Sequence, residues 1–164
     1  MGKKSKKIFK NVLFGLIAGL FAYIVLLFIN NPWEEVIPAL LFGSVPGFVD
    51  RKRNTIFIGA FSASMGWLAG TFIFGIWLEI GLGAWVISGA TLGLTSGFFG
   101  GSFPRALFGF LLGALAGLLA ETSRYLTVFF EGLRLMDMQL ILLVMAGILL
   151  PFAAALVTKP QKKE

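Results

Sequence analysis

The chain has 164 residues and a formal net charge of +6 at pH 7, and 57% of its residues are hydrophobic while 13% are charged. A soluble domain usually has about 25% charged and about 45–50% apolar residues. So short a chain cannot enclose this much apolar surface in a water-soluble core, because small domains bury only part of their surface. The composition therefore predicts an integral membrane protein and argues against a soluble domain.

The sequence contains no cysteine and no histidine. Their absence removes disulfides, haem ligated by Cys or His, iron–sulfur clusters, the common zinc sites and His-based acid–base catalysis. The positive charge indicates membrane topology and not nucleic-acid binding, because the basic residues flank the apolar segments.

Six apolar segments approach the length of about 20 residues that a bilayer-spanning helix needs. The sequence predicts an all-α integral membrane protein with a single transmembrane domain over residues 1–158 and a polar cytoplasmic tail over 159–164. The predicted spans are about 8–30, 33–49, 55–77, 81–99, 103–120 and 138–158. The second span is short and contains Pro38 and Pro46, so a re-entrant segment is the alternative to a short tilted span.

Residues 121–137 have a different pattern from the spans. Apolar side chains recur at helical spacing on one side of this segment, and polar side chains fall on the other, which is typical of an amphipathic helix lying in the membrane interface. The segment is either a surface connector or a face for docking a partner or gating a cavity. The residues assigned to the docking alternative are Tyr125, Phe129, Leu133 and Met136.

Threading the chain through six spans places nearly all basic residues on one side. That side holds Lys3, Lys4, Lys6, Lys7, Lys10, Arg51, Lys52, Arg53, Arg105, Lys159, Lys162 and Lys163. The other side holds Arg124 and Arg134. The positive-inside rule then places both termini in the cytoplasm, whereas a re-entrant second span would move residues 51–53 outside and break the partition.

Tryptophan positions give a second indication of topology. Trp33, Trp77 and Trp85 fall near the predicted outer boundary, where interface anchors are enriched. Trp67 falls in the middle of the third span, so we expect it to pack between helices.

Small residues recur at every fourth position in several spans. The glycines assigned to helix packing are Gly15, Gly19, Gly66, Gly70, Gly89, Gly93, Gly97, Gly101, Gly109, Gly113 and Gly117. Residues four apart lie on one helix face, and in lipid, helices associate through close packing that glycine permits. The rows on spans four and five predict a tight hairpin, and similar starts of the odd-numbered spans predict three hairpins. The alternative for these glycine ridges is docking onto a partner chain or a second copy.

The sequence offers little chemistry. No phosphate-binding loop, nucleophile elbow or pair of catalytic carboxylates is recognisable, and the charged residues fall near span ends, with Glu79 the deepest. We therefore predict a protein that is not an enzyme, with no metal and no cofactor. Bound lipid, pigment or quinone stays open, because apolar grooves carry no fixed motif.

Hydroxyl side chains are the main polar groups within the predicted spans. They include Ser62, Ser64, Ser88, Thr91, Thr95 and Ser96. Serine and threonine in membrane helices usually bond their own backbone or a neighbouring helix, and lining a substrate path is the alternative.

The leading functional hypothesis is a non-catalytic membrane subunit that packs against partners in a larger membrane complex and stabilises or positions them. Its expected partners are membrane lipids and other membrane subunits or a second copy of the chain, and not nucleic acid. A homo-oligomeric pore assembled through the glycine ridges is a further hypothesis.

Small-solute binding or transport is the alternative function. The first span contains the pair Ala18-x-x-x-Ala22. The chain resembles the substrate-binding S component of energy-coupling-factor vitamin transporters in this five-residue pattern, in size and in span count. Those components also carry small residues at this spacing in their first helix. The resemblance implies a vitamin-binding subunit of an uptake transporter, and no residue of a vitamin pocket carries over to this sequence.

Overall fold

A computed structural model describes residues 2–29, 36–77, 83–99, 101–129 and 138–158. Within these ranges the chain forms six α-helices. They are α1 (Lys3–Leu26), α2 (Val36–Asp50), α3 (Arg53–Gly70), α4 (Ala84–Phe99), α5 (Phe103–Phe129) and α6 (Met138–Val157). A π-helical continuation of α3 over Thr71–Trp77 is called the π segment below.

Four of these helices are long and apolar enough to cross a membrane. They are α1, α3 with the start of the π segment, α5 and α6. Helices α2 and α4 are also apolar but have only 15 and 16 residues. The described part of the protein is thus all-helical and membrane-embedded, as the composition predicts.

Helix α5 is longer than the sequence predicts. It runs without a break through position 121, where a separate interfacial helix was expected to begin, and ends at Phe129. The reason lies in Glu121, whose carboxylate is buried and accepts hydrogen bonds inside the bundle, so the helix does not need to leave the bundle at this residue. Residues 130–137, the rest of the predicted interfacial helix, lie outside the described ranges.

The bundle closes on itself because each helix packs against the next in the chain and α6 packs against α1. Helix α6 also contacts α2 and α4, and it supplies much of the buried core. Its core residues are Leu142, Leu143, Ala146, Leu150, Ala153 and Ala154. Among the described helices, α6 therefore packs against α1, α2, α4 and α5.

Contacts between residues far apart in sequence give the helix directions. Gly93 faces Gly109, and Gly97 lies against Ala106, so α4 and α5 run antiparallel. Lys7 near the start of α1 bonds Asp50 at the end of α2. The starts of α1, α3 and α5 therefore share one end of the bundle with the ends of α2, α4 and α6.

We call this the basic end, because it carries the basic residues of α1, of the 51–53 turn and of the start of α5. The opposite end, called the far end, contains Gly70 at the end of α3, Ala84 at the start of α4 and Glu121 of α5. The charge asymmetry expected from the sequence is thus a property of the folded bundle in its described residues.

Large apolar side chains cover the outside of the bundle. Phe28 in the turn after α1 is 85% exposed, Phe57 on α3 is 72% exposed and Phe103 on α5 is 70% exposed. Soluble monomers rarely display such extensive apolar surface, whereas hydrocarbon accommodates it. The exposed surface therefore agrees with a membrane-embedded protein.

Candidate functional site

The glycines expected to pack helices lie at contacts between helices of this chain, with one exception. A Cβ atom added to each would overlap a neighbouring helix, which identifies its partner. The pairs are Gly15 with Gly147, Gly19 with Leu143, Gly66 with Thr91, Gly70 with Ala84, Gly89 with Gly113, Gly93 with Gly109, Gly97 with Ala106 and Gly117 with Trp85. These glycine faces are occupied inside the chain.

Gly101 is the exception. Nothing lies near an added Cβ, and its φ is +82°, in the left-handed region that favours glycine. It serves the turn before α5 and not a helix contact.

The alanine pair behind the resemblance to vitamin-transporter S components faces inward. Ala22 is fully buried, and Ala18 is partly buried against the same core. The exposed face of α1 instead carries large apolar side chains. Those on one line are Phe14, Ile17, Phe21 and Ile24, and Phe28 follows in the turn after the helix.

Hydroxyl groups join α3 to α4. Ser88 Oγ donates to the carbonyl of Ala63 at 2.8 Å, and Thr91 Oγ1 donates to the carbonyl of Ser62 at 2.9 Å. The hydroxyls of Ser62 and Thr95 also bond each other at 3.1 Å. Bonds of this kind in membrane proteins average about 0.6 kcal/mol each, so this set holds two helices together.

The remaining hydroxyls of this set, those of Ser64 and Ser96, have no described hydrogen bond to another helix. Ser64 Oγ donates to Ala60 in its own helix at 2.8 Å, and Ser96 is buried. None of these described contacts indicates a substrate path.

Glu121 is a buried carboxylate at the far end, only 2% exposed. Its Oε2 accepts the backbone N–H of Gly83 at 2.7 Å, and its Oε1 accepts that of Trp85 at 3.0 Å. The first N–H groups of a helix have no partner within the helix, and the positive end of the helix dipole favours a carboxylate. Glu121 of α5 therefore caps α4.

Sequence reasoning placed Glu121 outside the core, although a signal was present. Position 121 continues the four-residue row Gly109, Gly113 and Gly117, which faces α4. The same face of α5 that packs against α4 therefore also places the Glu121 carboxylate at the start of α4.

Three polar atoms near the far end have no hydrogen-bond partner among the described residues: Trp67 Nε1, Trp85 Nε1 and Thr71 Oγ1. Trp67 is 4% exposed and Trp85 is 1% exposed. Buried indole N–H groups usually find a partner, and a buried donor left without one costs about 1–3 kcal/mol. The burial of Trp85 also corrects the expectation that it anchors the protein at the membrane interface.

These three residues come from neighbouring turns of the fold. Trp67 and Thr71 lie one turn apart, and Gly70 between them packs against Ala84, next to Trp85. The ring of Trp85 lies 5.6 Å from that of Phe42 between centroids, and Phe42, Trp67 and Trp85 belong to one buried cluster. We call Phe42, Trp67, Thr71 and Trp85 the far-end cluster.

The π segment begins within this cluster, at Thr71. π-helical turns are rare and occur frequently at functional sites. The residue pattern did not predict this segment, because the same apolar run can form an α-helix or a π-helix.

A second polar group lies at the basic end. Lys7 Nζ and Asp50 Oδ2 are 2.7 Å apart, and both side chains are mostly buried. The fully buried Asn11 donates from Nδ2 to the carbonyl of Lys7 at 3.0 Å, while its Oδ1 has no partner among the described residues. This group ties α1 to the end of α2.

Of the residues assigned to partner docking, Tyr125 and Phe129 fall in the last turns of α5. Leu133 and Met136 lie outside the described ranges, as does Glu79. The partner-docking assignment therefore stays a prediction.

The glycine contacts, the hydroxyl bonds and Glu121 all hold helices of one chain together, whereas the far-end cluster contains buried donors that the fold does not use. The far-end cluster is therefore the candidate site. Comparisons with protein-family models, with curated proteins and with solved structures found no match for this chain.

Proposed function

We propose that the protein is a non-catalytic integral membrane subunit that packs against partners in a larger membrane complex and stabilises or positions them. The exposed face of α1 supports this proposal. Only 22% of the apolar window of α1 is buried within the chain, against 56% for α6. Phe14 and Phe21 are seven residues apart on that face with Ile17 between them, and Ile24 continues the row. This is the spacing of a seam between two packed helices. Phe28 follows in the turn after the helix.

Affinity purification in mild detergent tests this function. We expect a membrane protein to co-elute with the wild-type chain and to be lost when Phe14, Phe21 and Phe28 are changed to Ala. A matched variant with Phe103, Phe108 and Leu111 changed to Ala alters equally exposed positions on α5 and should retain the partner. A monodisperse chain that elutes alone, or equal loss in both variants, would reject the proposal.

The topology that we propose has six spans as three hairpins, with both termini in the cytoplasm. Helices α2 and α4 would be about 22–24 Å long at about 1.5 Å per residue, against a hydrocarbon core of about 30 Å. They would therefore need a locally thinner bilayer. Their antiparallel packing between longer helices supports complete crossings.

Cysteine labelling tests this topology directly, because the chain has no cysteine of its own. In intact cells, we expect a membrane-impermeant maleimide to label Thr122→Cys. It should reach Ser5→Cys and Lys52→Cys only after permeabilisation. Labelling of Lys52→Cys in intact cells would instead indicate a re-entrant α2.

A second candidate function is small-solute binding or transport, and the far-end cluster favours it. Two nearly fully buried indole N–H groups without a protein acceptor are what a bound solute with acceptor atoms would satisfy. The inward-facing Ala18 and Ala22 do not offer the exposed small-residue face that docking onto a transporter partner would use. A thermal-shift screen of the purified chain against vitamins and other small solutes tests this function, and no shift across the panel would count against it.

A further inference from the structure

We propose that the basic end binds the headgroups of anionic phospholipids through six exposed cationic side chains, called the basic patch. They are Lys4, Lys6 and Lys10 of α1, and Arg51, Lys52 and Arg53 between the end of α2 and the first turn of α3. The inference goes beyond the proposed function, because it concerns lipid and does not depend on a partner subunit or a solute.

One ion pair joins the two parts of the basic patch. Lys7 Nζ of α1 and Asp50 Oδ2 of α2 are 2.7 Å apart. Lys6 and Lys10 lie within one turn of Lys7, and Arg51 directly follows Asp50. The lysines of α1 and the turn between α2 and α3 therefore lie side by side at the basic end.

The charge of the basic patch is not compensated within the described part of the chain. Asp50 is the only carboxylate that the described residues place at this end, and it pairs with Lys7. No side chain of the patch makes a hydrogen bond or ion pair with another described residue. Lys6 and Lys10 lie four residues apart on one helix, where like charges repel. An anionic partner would offset this repulsion.

The turn after α2 holds a cation where glycine is the usual residue. Arg51 has a φ of +54°, in the left-handed region. Its N–H donates to the carbonyl of Phe48 at 3.1 Å, and the N–H of Lys52 donates to that of Gly47 at 3.0 Å. Helices commonly end with this pair of bonds, and glycine usually occupies the left-handed position. Because strained residues concentrate at functional sites, the arginine at this position favours a role for its charge.

Exposed aromatic rings next to the basic patch indicate an amphiphilic partner. Phe9, Phe48 and Phe57 are each more than half exposed. Each lies about one helical turn from a patch residue, towards the middle of its own helix. A phospholipid has the same arrangement, with a phosphate above apolar chains, and clustered lysines and arginines next to membrane helices attract anionic lipids. The rings therefore favour a phospholipid over an acidic protein segment or a nucleic acid.

Fluorescence quenching in lipid nanodiscs tests the proposal, because the chain has no cysteine of its own. A fluorophore is attached to the full chain at Ser5→Cys near the basic patch, or at Thr122→Cys near the far end, and both positions are exposed. Phosphatidylglycerol and phosphatidylcholine with the same nitroxide on the upper acyl chain are the quenchers, so that only the headgroup differs. We expect phosphatidylglycerol to quench more strongly at Ser5→Cys and to show no such preference at Thr122→Cys.

Two variants with the same loss of charge locate the effect. Changing Lys10, Arg51 and Arg53 to Gln should remove most of the preference at Ser5→Cys. Changing Lys159, Lys162 and Lys163 to Gln removes three charges that are not part of the basic patch and should retain most of it.

Arg51→Gly separates a loss of binding from a loss of folding. It removes one charge and places glycine at the left-handed position, so we expect an unfolding midpoint no lower than that of the wild type. The relative association constant for phosphatidylglycerol should fall by up to about 5-fold, the effect of one cation near an anionic surface.

Several results would overturn the proposal. They are equal quenching by the two lipids at Ser5→Cys, equal losses in the two triple variants, an undiminished preference in Arg51→Gly, and a preference that persists at about 1 M salt. Glycerol phosphate should not compete at matched ionic strength, and competition would assign the patch to free phosphate instead. Polyglutamate that binds phosphatidylcholine nanodiscs through the patch, without any preference for phosphatidylglycerol, would assign the patch to an acidic protein.

Discussion

The two ends of the bundle accommodate buried acidic groups in different ways. At the basic end, Asp50 pairs with Lys7 at 2.7 Å, and their side chains are 16% and 13% exposed. At the far end, Glu121 is 2% exposed and its described partners are the backbone N–H groups of Gly83 and Trp85. Burying a second charge is expensive, whereas a helix start supplies donors and a favourable dipole. The more deeply buried carboxylate is the one held by the backbone.

Removing the carboxylate at the far end should have the largest effect. Glu121→Ala leaves two N–H groups of α4 without acceptors, and we expect it to lower the free energy of unfolding by about 2–4 kcal/mol. Glu121→Gln keeps one acceptor oxygen and should cost less. Unfolding in mixed micelles by denaturing detergent measures both, with Thr122→Ala as the neighbouring control. An Ala variant as stable as the control would mean that α4 does not need this cap.

Widening the bundle between its two ends should have an intermediate effect. Gly93→Ala would place a Cβ against the carbonyl of Gly109 and force α4 and α5 apart. Overpacking of this kind costs about 1–3 kcal/mol. Gly2→Ala is the control, because nothing lies near an added Cβ there. The same unfolding assay applies, and equal stability of the two variants would show that the crossing tolerates a methyl group.

Removing the ion pair at the basic end should have the smallest effect. A double-mutant cycle over Lys7→Ala and Asp50→Ala should give a coupling of about 1 kcal/mol, the upper end of the range for exposed pairs, because both side chains are mostly buried. We expect salt to reduce this coupling and to leave the cost of Glu121→Ala nearly unchanged. A coupling that persists at about 1 M salt would indicate that salt screens the buried charges at the two ends equally little.

Local periodicity predicted much of the fold, because it depends on neighbours along one helix. Helical spans of apolar residues and four-residue rows of small residues can be read directly, and Gly93 and Gly109 from two such rows lie face to face. The pairing of Lys7 with Asp50 could not be predicted in this way, since the two residues meet only when α1 and α2 pack antiparallel.

The candidate site was less accessible to sequence reasoning. The sequence places Trp85 near a span end, which favours an interface anchor. In the folded chain its ring is buried beside Phe42 of α2 and its backbone lies against Gly117 of α5. The π segment has no residue signature, so the unpaired hydroxyl of Thr71 was not expected. Glu121 was the missed residue with a readable signal, because it continues a row already assigned to packing.

The central position of α6 has a consequence for how the protein is made. The inward face of α1, with Gly15 and Gly19, is completed by residues of α6 that the ribosome adds more than a hundred positions later. Helices α1, α2, α4 and α5 therefore enter the bilayer before α6 exists, and we expect the bundle to close only once α6 has been synthesised. During this interval the nascent chain presents an unfilled glycine surface, which insertion factors or lipid must shield.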